Sequence, residues 1–97
     1  MALNELIISD LAIEQIDSIF TYHESNHDGK GSDFLEAVWD CFEKIQLNPE
    51  RWQFLRTRED NIRRAITEKP QTIILYSIDS DKIIILEVWD SKQNWKR

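Results

Sequence analysis

The side chains of this sequence most suited to chemistry are the arginines that open its second half. They fall between positions 51 and 64: Arg51, Arg56, Arg58, Arg63 and Arg64. A guanidinium group presents a planar fork of N–H donors that matches a carboxylate or a phosphate. The cluster therefore favours an anionic partner and is the first candidate binding site.

The C-terminal tail is a second candidate. Residues 92–97 read Lys-Gln-Asn-Trp-Lys-Arg, with an aromatic ring between cations. Such interleaving can hold a phosphate backbone and stack a base. It is also typical of a tryptophan, here Trp95, that is anchored on the core beside solvated cations. Residue chemistry alone favours that second, structural role.

The other reactive side chains are not grouped in a pattern that indicates a metal site or a catalytic site. His23 and His27 are four residues apart, but His27 falls in a glycine-containing loop and the sequence offers no third ligand near them. Cys41 is the only cysteine, and it sits in an apolar helical pattern that indicates a buried thiol. We therefore expect no metal site and no cofactor.

The charge of the chain is uneven. Residues 1–50 carry eleven acidic and two basic side chains, whereas residues 51–97 carry seven acidic and ten basic ones, within a net charge of −6. A polyanion would therefore meet the second half, while the overall acidity argues against strong non-specific binding to nucleic acid. No apolar run could span a membrane and no signal-peptide pattern is present. We expect a cytoplasmic protein with one domain, residues 1–97.

Three apolar segments of the second half must position the arginines. Residues 62–67 alternate in a period of two, which places Arg63 and Arg64 on opposite faces of one strand. One of these arginines must therefore pair with a carboxylate or lie at an edge. Residues 72–78 and 82–89 are nearly continuous in β-branched and aromatic side chains, as central strands are. A hairpin turn between them completes a predicted antiparallel meander.

The first half supplies one strand and two helices. Residues 3–9 are short and apolar, and two amphipathic stripes follow on either side of a loop at residues 25–32. The fold class is therefore α+β, in the order β-α-α-β-β-β, with room for a further short strand near residues 53–57. The two helices form an N-terminal hairpin that packs on a mainly antiparallel sheet.

This packing assigns places to particular side chains. Trp39 on the second helix and Ile85 on the last strand are expected in the core, where alanine would cost about 3 kcal/mol or more. Gln15 is expected on the solvent face of the first helix, His23 at a helix boundary, and Ser32 at the N-cap of the second helix.

A set of segments in this order also points to a known family. The segments are Leu6-Ile7-Ile8-Ser9 with Asp10-Leu11-Ala12, Ile16 to Tyr22, Leu47-Asn48-Pro49, Ile62-Arg63-Arg64, Ile74-Leu75-Tyr76 with Ile78, Ile83 to Trp89, and a polar turn ending in Lys92-Gln93-Asn94. Together they resemble the RelE/ParE family of bacterial toxins from type II toxin–antitoxin systems. The fold implied by that resemblance, a small sheet with two N-terminal helices, agrees with the order of elements above.

The family has two main branches. RelE-like members are ribosome-dependent mRNA ribonucleases, in which a Lys and Arg cluster activates the 2′-hydroxyl and stabilises the cleaving phosphate. ParE-like members share the fold, act on DNA gyrase and lack that cluster. Here residues 71–73 are Gln-Thr-Ile where the ribonucleases carry a basic residue, and Lys92 is followed by Gln93. An anionic transition state would have few cations to stabilise it, so the resemblance favours the ParE-like branch.

The ParE-like interpretation implies a growth-inhibiting toxin of the plasmid-stabilisation kind, acting by binding rather than catalysis and neutralised by a cognate antitoxin. The residues it would use against antitoxin or target are Arg63, Arg64, Lys92, Gln93 and Trp95. An antitoxin segment would lie across an apolar groove between the helices and the sheet. The assembly would be a toxin–antitoxin hetero-oligomer or a toxin homodimer.

Two alternatives stay open. A RelE-like ribonuclease would cleave mRNA on the ribosome with four catalytic cations: Arg56, Arg58, Arg63 and Lys92. A non-toxic binding module with the same fold would hold the antitoxin without arresting growth. None of the three interpretations involves a membrane partner.

Overall fold

The computed structural model describes residues 4–26, 31–54, 61–67 and 71–90. Its elements, in chain order, are β1 (Glu5–Ile8), α1 (Asp10–Asn26), α2 (Gly31–Leu47), β2 (Ile62–Ile66), β3 (Thr72–Asp79) and β4 (Lys82–Asp90). The predicted α+β order is confirmed. Of the further strand expected near residues 53–57, Phe54 forms an isolated antiparallel bridge with Arg63, and residues 55–57 lie outside the described residues.

The sheet has the strand order β1-β4-β3-β2. The meander of β2, β3 and β4 is antiparallel, as predicted, and β1 joins β4 in parallel. The two most apolar segments, β3 and β4, therefore occupy the centre, and β2 with its arginines lies at one edge. At the hairpin between β3 and β4, Ser80 has a φ angle of 60°, a left-handed conformation that glycine or asparagine adopts more readily.

Helix α1 takes over from β1 as the neighbour of β4. Strand β1 pairs only with the first half of β4, up to Ile85, and the pairing of β3 with β4 is irregular just beyond that point. The Ser9 hydroxyl donates to the carbonyl of Leu86 at 3.0 Å and caps α1 by accepting from the Ala12 N–H. The Gln15 side chain accepts from the Val88 N–H at 2.7 Å. Polar groups on β4 that β1 cannot reach thus find partners on α1.

The prediction for Gln15 is therefore wrong, because its side chain is buried against β4 rather than solvated. His23 lies in the last turn of α1, as expected of a helix-boundary residue. It is 3% exposed and bonds through Nε2 to the Asp90 carboxylate at 2.8 Å. Asp90 is itself fully buried, and a buried carboxylate needs such a partner. The pair ties the end of α1 to the end of β4.

Helix α2 buries the stripe Gly31, Phe34, Val38, Cys41, Phe42 and Ile45 against the sheet and α1. Trp39 lies beside that stripe and is 50% exposed, with its ring edge-on to Phe42. The expectation that Trp39 is a core residue is therefore wrong. Apolar spacing along a helix shows where the stripe runs, but Trp39 falls on its margin, 100° around the helix from Val38. Ile85, by contrast, is fully buried as expected.

The second helix begins earlier than predicted, because Gly31 is already helical and Ser32 is the residue after it. Gly31 lies against α1, and a Cβ atom there would come within 2.7 Å of the Phe20 ring. A side chain at this position would push the two helices apart. The glycine therefore serves close helix packing at a place where sequence reasoning expected a loop. No helix in the described part of the chain is long and apolar enough to cross a membrane.

Trp39 and Ile85 give a matched test of this packing. Ile85→Ala should lower the free energy of unfolding by about 3 kcal/mol or more, because it opens a cavity under α1 and α2. Trp39→Ala should cost about 1 kcal/mol or less, because half of the ring is already in water. Urea unfolding of both variants checks this, and an equal loss in the two would contradict the described core.

Candidate functional site

Residues 49–54 follow α2 and run along the outer edge of β2; we call this segment the strap. The sheet holds it through side chains from two strands. The Tyr76 hydroxyl on β3 donates to the carbonyl of Pro49 at 2.6 Å. On β2, Arg63 Nη1 donates to the carbonyls of Trp52 at 2.6 Å and Glu50 at 3.2 Å. These bonds fix the path of the chain between the last helix and the sheet edge.

The backbone of β2 holds the strap as well. The Arg64 N–H donates to the carbonyl of Gln53 at 2.9 Å, next to the bridge between Phe54 and Arg63. The strap therefore runs antiparallel to β2 for a short distance. It covers backbone groups that an edge strand would otherwise leave open.

Arg63 and Arg64 have different surroundings, as their opposite faces predict. Arg63 is half-buried, and its guanidinium lies 4.0 Å above the Phe54 ring while it bonds the two strap carbonyls. It thus lies at an edge, as expected, but its partners are backbone oxygens and an aromatic ring rather than a carboxylate. Arg64 is exposed on the sheet face opposite the helices, directly across from Leu75. Of these two arginines, Arg64 is the one that a partner can reach.

A groove of about 380 Å³ separates α2 from the strap and the end of β2. The residues that line it are Ala37, Asp40, Cys41, Lys44, Arg51, Trp52, Ile66 and Thr67. Lys44 pairs with Asp40 on the same helix at 3.2 Å, and the Arg51 guanidinium lies 5.1 Å above the Trp52 ring. The groove is therefore lined both by apolar side chains and by charges of both signs.

Two protonated side chains near this region, Cys41 in the groove lining and Tyr76 under the strap, have raised pKa values. Burial raises the pKa of the Cys41 thiol to about 11, an effect that the Lys44 charge reduces. Burial likewise raises the pKa of the Tyr76 hydroxyl to about 12, opposed by the charge of Arg63. Both groups therefore hold their protons at neutral pH. Within the described residues no group of three or more His, Cys, Asp or Glu side chains could hold a metal ion.

Most of the predicted site residues cannot be compared with the structure. Arg56, Arg58, Lys92, Gln93 and Trp95 lie outside the described residues, as does His27, and they remain predictions. The structure brings Arg63 to the strap and points Arg64 the other way, so the arginine cluster does not converge on one anion at these two positions.

Sequence reasoning missed the strap, the groove, and the roles of Tyr76 and Trp52 in them. The one available signal was a polar hydroxyl at Tyr76 within an otherwise apolar strand, since a buried tyrosine usually finds an acceptor for its O–H. The backbone carbonyls that accept from Tyr76 and Arg63 leave no trace in a pattern of side chains.

A family model described as the ParE toxin of the type II toxin–antitoxin system parDE matches residues 6–95. A chain in a solved structure titled as the chromosomal ParDE TA system from P. aeruginosa has the same fold, with a TM-score of 0.77 and 12% sequence identity over 90% of this chain and 95% of that one. Among curated proteins, none is similar enough in sequence to count as a match.

The fold and the family match together define a small α+β toxin of the RelE/ParE superfamily. Because the model spans nearly the whole sequence, this chain belongs to the ParE toxin family of type II toxin–antitoxin systems. The predicted ParE-like branch is thereby confirmed, and membership in a ParDE-type system implies an antitoxin partner.

The two arginines of β2 should differ in how much the same substitution destabilises the protein. Arg63→Ala should lower the free energy of unfolding by about 1–3 kcal/mol, because it leaves two strap carbonyls without their donor and uncovers the Phe54 ring. Arg64→Ala should change it by no more than about 0.5 kcal/mol, because that side chain is exposed. Chemical denaturation measures both, and a neutral Arg63→Ala would show that the strap does not depend on this guanidinium.

Proposed function

We propose that this protein inhibits bacterial growth by binding DNA gyrase and that a cognate antitoxin holds it inactive until that antitoxin is lost. The observation that carries the proposal is the match of the ParE toxin model to residues 6–95. Residues 1–50 carry a charge of −9 and residues 51–97 one of +3, so charge complementarity can contribute to the binding of such partners. A toxin–antitoxin hetero-oligomer is the resting form.

The chemistry of the described residues supports inhibition by binding over RNA cleavage. The ribonuclease alternative needs Arg63 as a catalytic cation, but its guanidinium donates to two backbone carbonyls. The Tyr76 hydroxyl, whose pKa burial raises to about 12, donates to the carbonyl of Pro49 and is therefore engaged within the chain. These two groups hold the strap instead of a phosphate.

Arg64 is the contact residue that we place first against the antitoxin or the target, because it is exposed and stands on an apolar sheet face. The tail residues Lys92, Gln93 and Trp95, which come later in the sequence, complete the proposed set of contact residues. An acidic side chain of the partner opposite Arg64 would form a charge-assisted pair at the rim of that contact.

Expression in a bacterium tests this function. Induced alone, the chain should arrest growth, and co-expression of the neighbouring reading frame should restore it. Purified toxin should block the supercoiling of relaxed plasmid by gyrase, while cellular transcripts stay intact. Normal growth without the neighbouring gene would contradict a toxin, and growth arrest with cleaved transcripts and normal supercoiling would identify the ribonuclease instead.

Arg64→Glu is the matched variant for this assay. Because the arginine is exposed, the substitution should leave the fold intact and weaken contact with the partner, so growth arrest or neutralisation should decline. Lys82→Glu, which reverses an exposed charge at the start of β4, is the control and should behave like the parent chain.

A further inference from the structure

Trp39 lies half in water on the outer side of α2. Its side chain is 50% exposed, and its ring stands edge-on to the buried Phe42 ring, with the centroids 5.2 Å apart. This contact orients the indole before any partner arrives, so binding there costs little side-chain entropy. Tryptophan is also among the side chains that contribute most to the energy of protein interfaces. An oriented, half-exposed tryptophan is therefore a candidate anchor for another molecule.

The surface around Trp39 has an apolar centre. Leu35 lies one turn earlier on the helix and is only partly buried. The two side chains line a shallow groove of about 460 Å³ together with Ser32, Glu36, Asp40 and Glu43. We call these six residues the Trp39 face. It lies on α2 beside the groove that the strap borders, and Asp40 lines both.

The charge of the Trp39 face is negative. Glu36, Asp40 and Glu43 are exposed, and no basic side chain among the described residues lines this groove. Asp33, also exposed, extends the acidic surface toward the start of the helix, where it lines a second shallow groove with Glu36 and Asp40. Asp40 pairs with Lys44 at 3.2 Å, whereas the other three acids have no ion-pair partner in the described part of the chain.

The spacing of these acids weakens the helix that carries them. Asp33, Glu36, Asp40 and Glu43 follow one another at intervals of three, four and three residues, which places like charges side by side on the helix surface. Cations of a partner would remove this repulsion. The Trp39 face therefore favours a partner whose contacting surface is basic.

The target in the proposed function must have such a surface. An enzyme that changes the supercoiling of DNA has to hold a duplex, and proteins hold duplex DNA mainly through Lys and Arg side chains that neutralise its phosphates. Carboxylates accept the same charge-assisted hydrogen bonds from these side chains as phosphates do. An acidic protein face can therefore occupy the basic surface of gyrase in place of DNA.

We propose that the Trp39 face docks on the DNA-binding surface of gyrase, with Trp39 as the central anchor and the flanking carboxylates paired with Lys and Arg side chains of the enzyme. Toxin and DNA then compete for that surface. The inference rests on the proposed function for the identity of the target, and on the Trp39 face for the place and manner of binding. It leaves Arg64, on the sheet face opposite the helices, for the antitoxin.

Binding of the purified chain to immobilised gyrase, followed by biolayer interferometry, tests the inference. Trp39→Ala should weaken the affinity about tenfold or more, because it removes the anchor. Glu36→Lys should weaken it by about the same factor, because it sets a cation against the cations of the enzyme. Circular dichroism of each variant confirms that it is folded.

Two matched controls lie on other elements. Leu11→Ala on α1 truncates an apolar side chain with the same 50% exposure as Trp39. Asp81→Lys makes the same charge reversal as Glu36→Lys at an exposed position in the turn before β4. Each control should alter the affinity for gyrase by less than about threefold.

Competition with DNA is the second measurement. A saturating concentration of linear duplex should weaken the binding of the toxin to gyrase about tenfold or more, because both ligands need the same cations. Added salt should weaken binding as well, since it screens the opposite charges. Toxin that binds DNA-loaded gyrase as tightly as free gyrase would overturn the inference.

The outcomes separate the two proposals. If the parent chain binds gyrase and either folded variant of the Trp39 face binds equally well, this face is not the target contact, while the proposed function stands. If the parent chain does not bind gyrase at all, the proposed function is overturned and the inference with it.

Discussion

The hydrogen bonds from Arg63 to the strap are the constraint that determines the shape of the toxin surface beside β2. A guanidinium that donates to two backbone carbonyls at 2.6 and 3.2 Å and stacks on an aromatic ring is held in one orientation. It fixes the chain after α2 against β2, with help from Tyr76 at the start of the strap. The groove exists because the strap is held at this end of β2 and diverges at the other.

Within the fold, β4 is the strand whose hydrogen bonds fix the positions of its neighbours. It is paired by β3 on one side and by the short β1 on the other, and α1 continues where β1 stops. Ser9, Gln15 and His23 lie along α1 and its cap, and each bonds a group on β4. A helix that satisfies backbone and side-chain groups of a strand in this way cannot slide along it, so the sheet and the helical hairpin have one fixed relation.

The sequence was sufficient to predict the helices and strands and their order along the chain. Alternation at Ile62–Ile66 and the long apolar runs of β3 and β4 depend on local patterns, and the structure has strands at each. Cys41 was correctly expected to be buried. Trp39 and Gln15 were misplaced because each lies at the margin of a helical stripe, where the partner in space decides burial and the spacing does not. The parallel pairing of β1 depends on contacts far apart in the sequence, which no local pattern encodes.

The site was less predictable than the fold. Sequence reasoning placed Arg63 and Arg64 on opposite faces, which is correct, but treated both as binding residues for a partner. The partners of Arg63 are carbonyl oxygens of its own chain, and these are present in every residue and so are invisible in the sequence.

The exchange rate of the Arg64 amide hydrogen tests the central claim most directly. On an uncovered edge strand this outward N–H would exchange at close to the rate of an unfolded chain, whereas a strap held by Arg63 should slow its exchange by about a hundredfold or more. The account predicts that the protection is present in the parent chain and is lost in Arg63→Ala, while the amides of β3 stay protected. Rapid exchange at Arg64 in the parent chain, or protection that survives Arg63→Ala, would contradict it.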